Sequence, residues 1–173
     1  MQPIIYDVAV SADGFICGPD ADISRFPHHG PVVDSYRARL ATYGTALIGR
    51  KTYTFGYAHG LPQGANPYPH MRSIVISQTL DLPDDAAVEQ HPDLTAIPDL
   101  KAQADRPIYL CGGGHLASTL LQADLIDQVV LKRAPILLGS GVPLWGRGAA
   151  IAAATLVDHQ DYGDGVTLQR YQL

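Results

Sequence analysis

The chain has 173 residues, 46% of them apolar and 17% charged, with a formal net charge of −5. This composition fits a soluble globular protein of one domain, residues 1–173, with enough chain to bury a substantial core. The acidic balance without any Lys/Arg-rich run argues against nucleic acid and anionic membrane as partners. No apolar run approaches the ~18 residues of a membrane span, and Met1–Tyr6 lacks the basic and apolar regions of a secretory signal.

Ile4–Val10 reads as a strand, mostly apolar on both sides, broken by Ser11-Ala-Asp-Gly14. Residues 17–31, rich in Gly, Pro, Asp and His, read as a long loop, and such loops are usually functional or mobile. Val33, Tyr36, Leu40 and Tyr43 recur at i, i+3, i+7 and i+10, one stripe of a helix. Ala46–Ile48 is a short strand that runs into Gly49-Arg-Lys-Thr52. Residues 56–70 are loop-like. Ser73–Ser77 is a strand, and the proline-punctuated stretch 81–107 leaves room for a short helix at Asp99–Ala104. Pro107–Cys111 is the next strand. It ends in Gly112-Gly113-Gly114, followed by a helix to about Ala123.

Asp127–Arg133 is a further strand, and Pro135–Trp145 is an apolar segment with a flexible Gly139-Ser140-Gly141 centre. Thr155–Gln160 and Val166–Gln172 flank Asp161-Tyr-Gly-Asp-Gly165. The pattern is a terminal hairpin whose Asp-Gly turn takes positive φ. Strands alternating with helices predict an α/β fold: a mostly parallel central sheet, helices on both faces and a C-terminal antiparallel hairpin. Cys17 and Cys111 are far apart and lack metal-ligand spacing, which predicts a reduced, cytoplasmic protein without a metal.

Two places suit an anion. The first is the Gly112-Gly113-Gly114 turn, where glycine permits close approach and the following helix offers free N–H groups and a positive dipole end. The second is Gly49-Arg50-Lys51-Thr52, which also follows a strand directly. It adds a hydroxyl and two cations suited to a phosphate monoester. Without a ligand the first would be a tight turn, and Arg50 and Lys51 solvated surface charges. Neither matches the usual dinucleotide or P-loop fingerprint.

In this order and spacing, Ile48–Tyr53, Ile74–Ser77 and the Gly112-Gly113-Gly114 helix entry resemble the dihydrofolate reductase fold. Ser11–Gly14 and Pro135–Gly141 resemble its branch containing the C-terminal reductase domain of bifunctional riboflavin-biosynthesis proteins. The resemblance runs over nearly the whole chain and implies a three-layer sandwich, NADPH as cofactor, a small-molecule substrate and a homodimer. Carried over, Gly49, Arg50, Lys51 and Thr52 lie at the pyrophosphate and the adenosine 2′-phosphate. Ser77 and Gln78 lie near the adenine ribose. Gly112, Gly113 and Gly114, with His115, Leu116 and Ala117, line the other side of the pyrophosphate, and Ala9 and Ile16 sit near the nicotinamide.

The implied activity is hydride transfer to a small heterocycle, as in 5-amino-6-(5-phosphoribosylamino)uracil reductase. The alternatives are a pteridine or dihydrofolate reductase, or a nucleotide-binding module without turnover. Asp34, 15 residues before Gly49, stands close to where dihydrofolate reductases carry a carboxylate. There it would bind substrate and help protonate it. It lies off the apolar stripe, however, and reads equally as a solvated acid at a helix N-terminus, with Arg37 one turn later able to pair with it. Arg37 and Ala38 stand where large apolar residues would grip a pterin. Asp13 reads as turn chemistry, His28 and His29 as loop residues able to close over substrate, and Tyr53, Tyr57, Tyr109 and Trp145 as packing residues. No H-x-E or C-x-x-C pattern is present, which excludes the zinc deaminase activity of the bifunctional relatives.

Overall fold

The first strand, β1 (Ile4–Ser11), is buried on both faces, as a parallel strand in the middle of a sheet must be. Its even positions, Ile4, Tyr6 and Val10, enter one apolar layer, and Ile5 enters the other. The computed structural model describes all residues from Met1 to Leu173. After β1 come β2 (Phe15–Cys17), α1 (Pro31–Leu40), β3 (Thr45–Gly49), α2 (Arg50–Phe55), β4 (Arg72–Ile76) and β5 (Glu89–His91). The chain continues with α3 (Ile97–Gln103), β6 (Ile108–Gly112), α4 (Gly114–Gln122), β7 (Gln128–Ala134), β8 (Val142–Pro143), β9 (Thr155–Asp161) and β10 (Thr167–Gln172).

Eight strands form one sheet in the order β5-β4-β3-β6-β1-β7-β10-β9. The pairs from β5 across to β7 are parallel, and β10 and β9 close the sheet as an antiparallel hairpin. Ile97 and Leu100 of α3 and Leu116, Ala117 and Leu120 of α4 cover the face of Ile4 and Tyr6. Tyr36 and Leu40 of α1 and Tyr53 of α2 cover the face of Ile5. The result is the three-layer α/β sandwich expected, with helices on both sides of a mostly parallel sheet. No helix is long and apolar enough to cross a membrane.

Three local features depart from the sequence reading. The stripe Val33–Tyr43 is not all helix: α1 stops at Leu40, and Tyr43 reaches the same apolar layer from the turn leading into β3. The stretch 81–107 contains a strand, β5, in addition to its helix. β5 is a sheet edge whose Glu89 and Gln90 are exposed, so it carries no apolar signal. Arg72 on β4 reaches across to Glu89 with two hydrogen bonds of 2.6 Å. Finally, Phe15–Cys17, placed partly in the long loop, pairs with Val142–Pro143 as a small second sheet.

That pairing explains Gly141. Its φ is +135°, and a Cβ there would run into the carbonyl oxygen of Cys17 and lie 2.8 Å from the Gly18 backbone. Gly139 has φ +71° but open space around it. Gly141→Ala is therefore expected to lower the unfolding free energy by about 2 kcal/mol or more. Gly139→Ala should cost about half of that, from backbone strain alone. Urea denaturation of the two variants beside the parent protein measures both.

Candidate functional site

In an open parallel sheet, ligands bind beyond the carboxyl ends of the strands, where the strand order reverses. Here β1 is flanked by β6 and β7, and β3 lies on the far side of β6. The carboxyl ends of these strands carry Ala9, Gly49, Gly112 and Lys132. Both glycine turns of the sequence therefore open on one edge of the molecule.

The two turns meet. A Cβ on Gly49 would lie 3.3 Å from the Gly112 carbonyl oxygen and 3.5 Å from the Gly113 nitrogen. A Cβ on Gly113 would lie 3.3 Å from Thr52 Oγ1 and 3.7 Å from Ile16 Cδ1. Side chains at either position would fill the space between the turns, so glycine keeps a narrow backbone cradle open. The Gly112–Gly113 peptide is cis. No side chain caps α2 or α4, so the first-turn N–H groups of α4 remain available to an anion. Arg50 and Lys51 are exposed beside them. Gly114 has a different role: a Cβ there would collide with the Pro143 carbonyl oxygen and come within 3.1 Å of that of Leu144, so it seats the 143–146 segment on α4.

Adjoining this cradle is a cavity of about 500 Å³ between α1, the 15–28 segment and the sheet. Ile16, whose side chain nears Gly113, also lines the cavity and so joins the two compartments. The aromatic wall is Tyr36, Tyr68 and Tyr109. The Tyr36 and Tyr109 hydroxyls share a hydrogen bond of 2.9 Å, and the Tyr68 hydroxyl lies 3.1 Å from Cys111 Sγ. Burial pushes the Cys111 thiol above its ordinary range, which keeps it protonated at neutral pH.

The floor is a buried ion cluster that the sequence reading did not single out. Asp7 is a charged residue on the otherwise apolar face of β1, with its side chain wholly inaccessible. Its Oδ2 accepts from Arg39 Nε at 2.8 Å and the Tyr43 hydroxyl at 3.0 Å. Its Oδ1 accepts from Lys132 Nζ at 3.0 Å and a second Arg39 nitrogen at 3.2 Å. Burial alone would raise the carboxyl pKa, but Lys132 and Arg39 outweigh it and hold Asp7 below the usual carboxylate range. Burial pulls the Lys132 ammonium below its ordinary value, and Asp7 opposes that shift. Lys132 Nζ also stands 3.6 Å from the centre of the Tyr36 ring, within cation–π range. The only sequence signal is an Asp inside Ile4–Val10 and a Lys inside Asp127–Arg133. Nothing in one strand reveals that the other is its neighbour.

Asp34 is not brought to this site. Its carboxylate is 70% exposed and pairs with Arg37 at 3.3 Å on the outer surface of α1, the solvated alternative of the sequence reading. Asp13 ties two loops together: it accepts from the Ser11 hydroxyl at 2.6 Å and from the Gly139 nitrogen at 2.7 Å. Ala9 and His28 line the cavity, while His29 is exposed. Ser77 is buried at the end of β4, its Oγ accepting from the Thr79 and Leu80 nitrogens, and Gln78 is exposed. His115 is exposed, but the side chains of Leu116 and Ala117 belong to the core. Ala117 also spends its N–H on the Gly113 carbonyl, at 3.1 Å. Leu116 therefore has only backbone to offer a ligand at this turn, and Ala117 has neither side chain nor N–H. Trp145 packs edge-on against Tyr6.

Comparison with known proteins shows the family and the fold. The family model described as RibD C-terminal domain matches residues 2–168. The uncharacterized protein YwjB of Bacillus subtilis is 28% identical over 172 residues, spanning 96% of this chain and 95% of its own. A solved structure from Shewanella sp. PV-4, provisionally named for riboflavin biosynthesis, is 25% identical. It superposes with a TM-score of 0.80 over 99% of this chain and 98% of its own. A dihydrofolate reductase from Enterococcus faecalis, complexed with NADP(H), shares the fold at 14% identity and a TM-score of 0.67, over 98% and 95% of the two chains.

The ion cluster sets a stability test. Asp7→Asn leaves Arg39 and Lys132 as buried cations without their anion and is expected to cost about 3–5 kcal/mol. Asp34→Asn, at a solvent-exposed pair, should stay within about 0.5 kcal/mol of the parent. Asp7's folded pKa is depressed, so its contribution is complete above its unfolded value of about 3.9 and is lost as pH falls through the folded pKa. Urea midpoints followed downward from pH 5 should fall more steeply for the parent than for Asp7→Asn.

Proposed function

Because the chain belongs to the RibD C-terminal domain family, we propose that it is an NADPH-dependent reductase that transfers a hydride to a small heterocyclic substrate, an activity resembling that of 5-amino-6-(5-phosphoribosylamino)uracil reductase. The observation that carries this reading is the meeting of the two glycine turns. A backbone cradle between Gly49 and Gly112–Gly113, walled by Thr52 and by Ile16, opens beside an aromatic cavity at the same strand ends. That is a fit for an extended dinucleotide whose pyrophosphate lies on backbone N–H groups and whose reactive ring reaches the cavity.

When bound, NADPH supplies a hydride from its nicotinamide ring. Gly49, Thr52, Gly112, Gly113 and the first-turn N–H groups of α4 hold the pyrophosphate. Arg50 and Lys51, exposed and without ion-pair partners in the fold, take the 2′-phosphate. Ser77 and Gln78 flank the adenine ribose, and Ala9 and Ile16 present a small apolar surface to the nicotinamide. The substrate packs among Tyr36, Tyr68 and Tyr109, whose rings orient it. Because Asp34 faces solvent, the polar groups available to the substrate are those that line the cavity, among them Lys132, Arg37, Arg133, His28, Cys111 and the tyrosine hydroxyls. This separates the site from a dihydrofolate reductase built around an acid on its first helix.

Titration of the purified protein with NADPH and with NADH, followed by nicotinamide fluorescence, tests the reading. Micromolar NADPH affinity is expected. Arg50→Ala should weaken NADPH about tenfold and NADH less than about threefold, because only NADPH carries the extra phosphate. Failure of both cofactors to bind would reduce the glycine turns to scaffold and leave the family likeness as one of fold alone.

A further inference from the structure

The protein carries a net charge of −5, yet its cavity has the opposite bias. The charged side chains that line it are one carboxylate, Asp7, against Lys132, Arg37 and Arg133. Arg37 is answered by Asp34 at the surface. Beneath the cavity, two cations share one anion: Arg39 and Lys132 both bond to Asp7. No other carboxylate lies within ion-pair distance of either cation. Cys111 does not make up the difference, since burial keeps its thiol protonated, and burial likewise holds Tyr36, Tyr68 and Tyr109 as neutral phenols. The cluster is therefore left with a surplus of one positive charge in a place that water reaches poorly, and an uncompensated buried charge is costly.

The surplus resides on Lys132. Arg39 is held by two bonds to Asp7 and a third to Ser35 Oγ at 2.8 Å, and it does not line the cavity. Asp7 has no capacity left, with four donors on its two oxygens. Lys132 gives Asp7 a single N–H, so two of its three donors remain. It lines the cavity with its ammonium against the Tyr36 ring.

We infer that Lys132 is the specificity-determining residue of this cavity: it takes an anionic or strongly electron-rich oxygen on the edge of a flat ring packed among Tyr36, Tyr68 and Tyr109. The inference rests on the reading of the cleft as the reductase's substrate site. It narrows the substrate to planar rings bearing a carboxylate, enolate or imidate-like oxygen. A ring that brings this oxygen completes the charge balance of the cluster and meets the N–H donors of Lys132 that Asp7 does not take. A neutral ring of the same shape meets only the aromatic walls.

Binding of 2-naphthoate and of its neutral isostere 2-naphthamide to the full chain, without cofactor, tests this. The parent protein is expected to prefer the carboxylate by about tenfold or more. In Lys132→Met the preference should fall below about twofold, while 2-naphthamide affinity stays within about threefold of the parent's. Asp7 keeps Arg39 and Tyr43 in that variant, so it should fold. Lys132→Arg should restore a clear preference for the carboxylate, which a lysine that merely props Asp7 would not require. A preference that survives in Lys132→Met, or a parent protein that shows none or binds neither probe, overturns the inference. The NADPH titration reads the reductase proposal separately: cofactor binding without an anion preference refutes the role of Lys132 alone. An anion preference without cofactor binding refutes the reductase reading and leaves an anion-binding cleft.

Discussion

The carboxylate of Asp7 is the point from which the working face of this protein is organised. It is buried between the sheet and α1, and four hydrogen bonds converge on it from Arg39 of α1, Tyr43 before β3 and Lys132 of β7. Those donors are drawn from distant parts of the chain, so the one anion fixes the helix, its exit turn and two neighbouring strands relative to one another. A buried ion cluster is poor as a source of net stability, because desolvation takes back most of the Coulombic gain. Its effect is on position. With Arg39 anchored, the stripe of α1 faces the sheet, and Tyr36 is set against both Tyr109 and the Lys132 ammonium. A cavity wall and its cation are thereby placed by the same interaction.

The second constraint is the closeness of backbone at the ends of β3 and β6. Gly49, Gly112 and Gly113 face each other at distances that a side chain would consume, and Gly114 lets the 143–146 segment pack onto α4. Gly141 plays the corresponding part where β8 meets the end of β2. The same economy of side chains keeps backbone N–H groups within reach of a ligand and holds the loops that border the cavity. Ile16, at the junction, belongs to both compartments. Cofactor cradle and substrate cavity are thus neighbouring parts of one surface rather than independent pockets.

How far the sequence could be read follows from the range of the forces involved. The strands read at Ile4–Val10, Ala46–Ile48 and Pro107–Cys111 are legible because burial on both faces leaves a nearly continuous apolar run. The hairpin was legible because Asp-Gly turn chemistry is local. α4 announced itself by glycines followed by a leucine stripe. β5 was not legible, since an exposed edge strand needs only a free neighbour and no apolar pattern. The spacing of Tyr43 matches the helical stripe, and only the packing shows that it reaches the same layer from a turn. Glycine in the two turns marks a close approach, and the structure shows one of backbone to backbone between Gly49 and Gly112–Gly113, while Ala117 is part of the core and its N–H part of the helix.

Fold class, the buried strands of the sheet and the two glycine-rich turns are written locally in the chain, because periodicity, turn chemistry and the absence of a Cβ act over a few residues. The tertiary structure alone decided which charges matter. Asp34 looked like the site carboxylate from its distance to Gly49, yet its position on α1 turns it to solvent and to Arg37. Asp7 and Lys132 are separated by more than a hundred residues and become partners only because β1 and β7 lie side by side, with Ala9 opposite Lys132 in the register. Strand adjacency is a property of the whole sheet, and the strength of an ion pair depends on how deeply that sheet is covered. Neither quantity exists in the chain until it has folded.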